Sequence, residues 1–510
     1  MKKMEKMEKM EKMEKMKKMA ALALAAATAL AGCSRSAGRS ADKGYDVYVF
    51  NAKGENAAQF EAMAKAYQAE TGVRVKTFSI GAGAEQEGPL TTEMNSAHPP
   101  TIYSIQGIKR LAQWFEGGYV ADLGAVTDHS EFARLVADIP PDMRLSSGGA
   151  TSYGIPYNIE GYGYIVDTLM LQDLFGEEQG LEVLAGLEEA PYSEWESFVR
   201  AIGRWIQAPA PMPVTLNGAA YTLAGEKRRR AGQLNGVFAL MGSEAWTYGD
   251  HLVNVALNAA FSTLNEALAP IAEEKLQALE GPLRAYAKAL DLKTSFLAGK
   301  NGPARRGQDL VSPANFGYEQ AVQIFADGKA LFLKQGNWAY NNIAAADKAL
   351  AERLWFIPVK MPFAPGDLTA PGMTPDKINR SIPVFVPNYY AVNALASDTE
   401  KKAAYDFLVW MNTSEKGRYY IIEEMAFIPY NADPASTVVP NMLGNAILSY
   451  VKRGNTLQGF FQAVPQVWPT DIFGVYIREQ FLVKPLWNES DYEKIAGYGV
   501  SELRKVNTAN

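Results

Sequence analysis

The chain has 510 residues, 48% of them hydrophobic and 11% aromatic, and a formal net charge of −6. That is length for two or more domains, or for one large protein of two lobes, and composition that buries a core. Its single cysteine excludes an internal disulfide, its three histidines (His98, His129, His251) show no ligand spacing, so no metal or other cofactor is expected, and an acidic chain without a basic stripe argues against nucleic acid as a partner.

The first 32 residues stand apart. Methionine recurs at every third position from Met1 to Met19 with Lys and Glu between, a period that fits neither a helical stripe nor a strand. The apolar run Ala20 to Ala31 follows and ends in Gly32-Cys33. A charged start, a short apolar middle and a small-residue exit predict a secretory signal peptide over residues 1–32. A run of twelve residues is too short to span a membrane, which takes about 20. Leu30-Ala31-Gly32-Cys33 resembles the bacterial lipobox, which implies that Cys33 is acylated and becomes the mature N-terminus. Acyl chains would then hold the protein on the outer side of a cell membrane. Met16 would also start a compact signal peptide. The leader carries eight lysines against four glutamates, so without it the net charge falls from −6 to −10. Residues 33–43 are small and polar, as suits a tether.

From Tyr45 strands and helices alternate. "YDVYVFNA" reads as a strand, and in the next helix Phe60, Met63, Ala64 and Tyr67 share a face before Gly72 stops it. "VRVKTFSI" completes a β-α-β unit, which implies a parallel pair. "PTIYSIQG" is a third strand and "KRLAQWFEGGYVADLG" a helix. "YGIPYNIEGYGYIVDTLML" has few polar residues, two inner glycines and four tyrosines. The stretch from Tyr192 to Lys300 reads mostly helical, with "APAPMPVTLNG" as a proline-rich interruption, and Lys227 to Arg230 form a basic cluster expected in a solvated loop. "ALFL" at 330–333 is a buried strand bounded by Gly328 and Gly336, with Gly336 expected to supply an unusual φ. Trp338 after it is either a cap on the core or an aromatic placed where loops of α/β proteins meet ligands. "SIPVFVPNYYAVNALAS" reads as strand. "DTEKKAAYDFLVWMNTSEKG" reads as a helix capped by Asp398 or Thr399, with Ala404, Phe407, Leu408 and Met411 on one side.

No G-x-S-x-G, Walker A or dinucleotide glycine pattern occurs. Tyr389-Tyr390 could suggest a tyrosinate iron site, but in a Val/Ala-rich strand the pair is expected to pack. Acidic residues are plentiful, so sequence alone leaves a pair of catalytic carboxylates open.

Four stretches in order carry a family resemblance: "YGIPYNIEGYGYIVDTLML", "AVQIFADGKALFLKQGNWAYNNI", "LWFIPVKMPF" and "YYAVNALASDTEKKAAYDFLVWMNTSEKGRYYI". Together they resemble the family 1 extracellular solute-binding proteins of ABC importers, the group of maltose-binding protein. The resemblance implies an α/β fold of the type II periplasmic-binding-protein kind: two lobes, each a mixed sheet flanked by helices, with the ligand cleft at the hinge. By analogy lobe 1 holds 44–160 plus 388–463, and lobe 2 holds 161–387 plus 464–510. Hinge closure on ligand is the expected action.

The same resemblance implies the ligand-binding residues. Trp338 would stack on the apolar face of a sugar ring, and Glu160 at the first hinge would touch ligand or support the hinge with a salt bridge. Asn51 and Lys53 fall in the first cleft loop, with Gln106, Tyr157, Asn158 and Asn337 in cleft positions. Trp468 would offer a second stacking face. Trp246, with Tyr248 and Asp250, could line the cleft from a region that departs from the maltose-binding type; Trp114, Trp205 and Trp410 are expected in the core. The chain is thus expected to be a monomeric, lipid-anchored, extracytoplasmic carbohydrate-binding subunit working with ABC permease subunits, and not an enzyme. Two alternatives are a sensor subunit presenting ligand to a membrane receptor kinase and a secreted carbohydrate-active enzyme.

Overall fold

The computed structural model describes residues 43–81, 86–146 and 151–507. The leader, Cys33 and most of the tether lie outside them. The strands run β1 (Val47–Asn51), β2 (Val75–Ser79), β3 (Ile102–Ile105), β4 (Ile155–Pro156), β5 (Glu160–Asp167), β6 (Met212–Leu216), β7 (Ala219–Leu223) and β8 (Gly236–Ala239). They continue with β9 (Leu297–Ala298), β10 (Pro303–Ala304), β11 (Ala330–Gly336), β12 (Leu354–Ile357), β13 (Ile382–Phe385), β14 (Tyr389–Val392) and β15 (Thr456–Leu457). One sheet has the order β2-β1-β3-β14-β4, a larger one β10-β9-β8-β11-β5-β13-β15 with β12 also on β5, and β6 and β7 form a separate hairpin.

The β-α-β unit forms as expected: β1 and β2 are parallel, and Phe60, Met63, Ala64 and Tyr67 of the intervening helix are buried. Gly72 closes that helix at φ 77°, a conformation that suits a residue without Cβ. Trp114, Trp205 and Trp410 are core residues, and Tyr390 packs between Tyr157 and Phe60.

Four local expectations are corrected. The "APAPMPVTLNG" segment is half of the β6–β7 hairpin, because Asn217 and Gly218 both adopt positive φ (49° and 76°) and so make the tight turn that two-residue hairpins favour. "SIPVFVPNYYAVNALAS" is two strands in different sheets, β13 on β5 and β14 on β3. Ser397 caps the helix Asp398–Thr413 in a reciprocal box with Glu400, whereas Asp398 sits inside the first turn. In the basic cluster Arg228 and Arg229 are exposed, but Arg230 pairs with Asp167 (3.1 Å) and Asp347 (3.4 Å).

The chain passes between the two sheets where β4 leads to β5 and where β13 leads to β14. It passes again after the helix Asp398–Thr413, in the segment that reaches Ile428. These passages are tied together: the Tyr157 N–H donates to the Asn388 carbonyl (2.9 Å) and the Ile159 N–H to that of Ile428 (2.9 Å). The helix Met442–Arg453 lies within the 388–463 span yet packs on β12, β13 and β5, with the Tyr450 hydroxyl donating to the Phe356 carbonyl (3.0 Å).

Candidate functional site

The site forms where these passages meet. A small pocket there is lined by Asn56, Asn158, Glu160, Asn337, Trp338, Asn341, Met425, Ala426, Phe427 and Asn441. Each wall has its own local cause. After β1, the Asn51 side chain accepts from the Lys53 N–H (3.0 Å) and donates to the Lys53 carbonyl (3.1 Å) and Ser79 Oγ (3.0 Å). This is an Asx turn, the conformation in which a short amide side chain replaces backbone partners. It folds the loop so that the next turn, Gly54–Asn56, delivers Asn56 to the pocket.

Lys53, from the end of the first sheet, forms a buried ion pair with Glu160, the first residue of β5 in the second. Two residues expected separately in the cleft therefore meet each other, and only Glu160 lines the pocket. Glu160 Oε1 also accepts from Asn158 Nδ2 (3.3 Å). A buried pair of this kind is costly to break from one side, since the remaining charge loses its partner.

The opposite wall comes from β11, every residue of which is buried. Gly336 has φ −106°, so it does not supply the unusual φ expected of it. Its role is space: a Cβ there would lie 2.1 Å from the Trp338 ring. Without that Cβ the indole folds back over the strand end, beside His251 (centroids 5.2 Å apart), Tyr162 (6.4 Å) and Phe385 (6.5 Å). Trp338 is thus both packed against the core and part of the pocket wall. Asn337 is fixed by accepting from the Gly161 N–H (3.1 Å), and its carbonyl receives Asn441 Nδ2 (3.3 Å). The third wall carries strain: Ala426 lies at φ 56°, a region that non-glycine residues rarely occupy and that clusters at ligand clamps.

Other expected residues fall elsewhere. Gln106 is exposed at the end of β3 and lines no part of this pocket. Tyr157 stacks on Tyr390 (3.5 Å), and burial pushes its phenol well above the usual range. Trp246 stands edge-on to His251 (5.1 Å) and donates to Glu244 (3.2 Å), one aromatic removed from Trp338. Tyr248 is buried on the Gly242 carbonyl. Trp468 is corrected: it is fully buried, stacked on Phe473 and donating to the Gly499 carbonyl (2.8 Å), so it offers no face to a ligand. The sequence reading does not include Asn56, Asn341, Asn441 or the 425–427 segment among the pocket residues. Asn341 follows Trp338 by three residues, a helical neighbour spacing that could have signalled it. Asn56 and Asn441 carry no such mark.

Among the described residues no group of three or more His, Cys, Asp or Glu side chains is placed to hold a metal, and no helix is long and apolar enough to cross a membrane. None of the curated proteins matches the chain in sequence. Among solved structures it is similar to a chitin oligosaccharide binding protein (TM-score 0.60, 15% identity, 91% of this chain and 99% of that one). It is also similar to a solute-binding protein in complex with raffinose (TM-score 0.60, 14% identity, 90% and 99%). A third is a family 1 extracellular solute-binding protein from Bifidobacterium longum subsp. infantis (TM-score 0.51, 15% identity, 89% and 98%). The fold is the two-lobed α/β fold of type II periplasmic binding proteins. The model of the bacterial extracellular solute-binding protein family matches residues 62–441, and the chain belongs to that family.

Proposed function

We propose that this protein is the carbohydrate-binding subunit of an ABC importer, closing on an oligosaccharide at the three passages between its sheets and delivering it to the permease. The observation that carries the reading is the pocket itself, where one partly exposed tryptophan stands among five asparagines and a glutamate. A sugar ring has an apolar C–H face and a polar rim, and a flat indole with amides around it matches both. The carbonyl and N–H pairing at 157–388 and 159–428 suits hinge segments that move together. The chitin oligosaccharide binding protein and the raffinose-bound protein named above share the fold.

A thermal-shift screen of the intact chain against mono- and oligosaccharides tests the reading. A sugar at 100 times its Kd adds about 2.7 kcal/mol of stability, a clear rise in Tm. A screen in which no sugar moves Tm contradicts it. The lipid anchor is part of the proposal: Cys33→Ser is expected to move the protein from the membrane to the soluble fraction, and retention on the membrane would contradict acylation at that position.

A further inference from the structure

We propose that the pocket selects neutral, hydroxyl-bearing sugars and rejects acidic ones, through the amide oxygens of Asn56 and Asn158, which the fold leaves without a hydrogen-bond partner, and through Glu160, whose charge Lys53 already matches. The inference rests on the carbohydrate reading of the same pocket and narrows its ligand.

The argument begins at Glu160. A carboxylate only accepts hydrogen bonds, so Asn158 must turn its NH2 group toward Glu160 Oε1, as it does at 3.3 Å. That choice points the Asn158 carbonyl oxygen the other way. Asn158 is fully buried and Asn56 is 2% exposed, and among the described residues neither side chain's Oδ1 meets a donor. Both side chains line the pocket. A buried acceptor without a donor is a standing cost, removed when a donor arrives. A sugar hydroxyl is such a donor, and it can accept in return from Asn337, whose own oxygen is already taken by the Gly161 N–H. A uronate oxygen carries lone pairs and no proton, so against these amide oxygens it would face acceptor to acceptor.

Charge points the same way. Among the described residues no arginine or lysine lines the pocket, and Lys53 is held by Glu160. An anion entering would therefore find no cation free of a carboxylate partner in the wall. A cation would find Glu160 already neutralised. The matched pair leaves the wall with no net charge to offer an incoming ion, in a place too dry to solvate one.

The test is calorimetric titration of the intact chain in mildly acid buffer, where glucosamine amines are protonated and uronates ionised. The probes are raffinose, chitin trimer, chitosan trimer and galacturonic acid trimer. A neutral probe is expected to bind, with the acidic and cationic trimers weaker by roughly 30-fold or more, the scale of an unpaired buried charge or acceptor. Asn56→Ala removes an oxygen that bonds to nothing in the protein, so Tm without sugar is expected to hold while affinity for the neutral probe falls roughly tenfold. Lys53→Met uncovers the Glu160 charge and is expected to raise chitosan-trimer affinity relative to chitin trimer. Galacturonic acid trimer binding as tightly as the neutral probe, or Asn56→Ala binding like the parent, overturns the inference while leaving the carbohydrate reading standing. Silence with all four probes overturns both.

Discussion

Trp338 and Trp468 are both tryptophans that follow strand ends or turns, and the fold treats them in opposite ways. Trp468 has no exposed surface, lies nearly parallel to Phe473 (12°) and gives its N–H to the Gly499 carbonyl. Every need of that side chain is met inside the protein. Trp338 keeps part of its surface in a pocket whose other walls carry amide oxygens without donors. A satisfied aromatic builds structure, whereas an aromatic among unmet polar atoms awaits a partner of complementary chemistry.

The largest effect should come from breaking the satisfied member. Trp468→Ala is expected to cost about 3–5 kcal/mol of stability, the range for truncating a buried aromatic, with little change in the sugar affinity of the folded fraction. Denaturant unfolding and calorimetry read the two separately. Trp338→Ala is expected to do the reverse, weakening sugar binding by about 2–4 kcal/mol as a hot-spot aromatic does. Its Tm without sugar should move less than that of Trp468→Ala, and Trp338→Phe should recover part of the affinity. Equal losses of stability in the two variants would erase the contrast.

Lys293 sharpens it from another side. This lysine is 1% exposed, and burial alone pushes its pKa down to about 7. An amide cannot shed its unmet need, but an ammonium can lose its proton. Below about pH 7 the folded and unfolded chains both carry the charge, and the folded state bears the full burial penalty. Between about 7 and the unfolded value near 10.4 the unfolded chain binds the extra proton, so stability rises with pH across that window. Lys293→Met is expected to stabilise the protein at pH 7 and to flatten the rise; an unchanged pH profile in the variant would contradict the assignment.

How much of this was legible in the sequence depended on the kind of signal. Phe60, Met63, Ala64 and Tyr67 announced their helix because burial imposes a period on residue type. The hairpin at Asn217-Gly218 is also written locally, as an Asn-Gly pair between alternating residues, but the prolines around it mask the signal. The split of 382–392 into strands of two sheets was not local, since both halves are apolar and only tertiary pairing separates them. Gly336 is required by the neighbouring Trp338 ring and not by φ, and in sequence a glycine required for either reason looks the same. In the site, Glu160, Lys53, Asn158, Asn337 and Trp338 lay in recognisable stretches. Asn56 and Asn441 reach the pocket through a turn and a helix cap, and asparagine at such positions is common for reasons unrelated to ligands.

The most direct test is hydrogen–deuterium exchange of the intact chain with and without raffinose or chitin trimer, whichever gives the larger thermal shift. The expected result is slowed exchange in four separate stretches, 54–58, 157–161, 336–341 and 425–428, with the peptides around Trp468 and Gly499 unchanged. Protection confined to other surfaces, or none in the presence of a sugar that binds, would contradict the placement of the site at the passages between the two sheets.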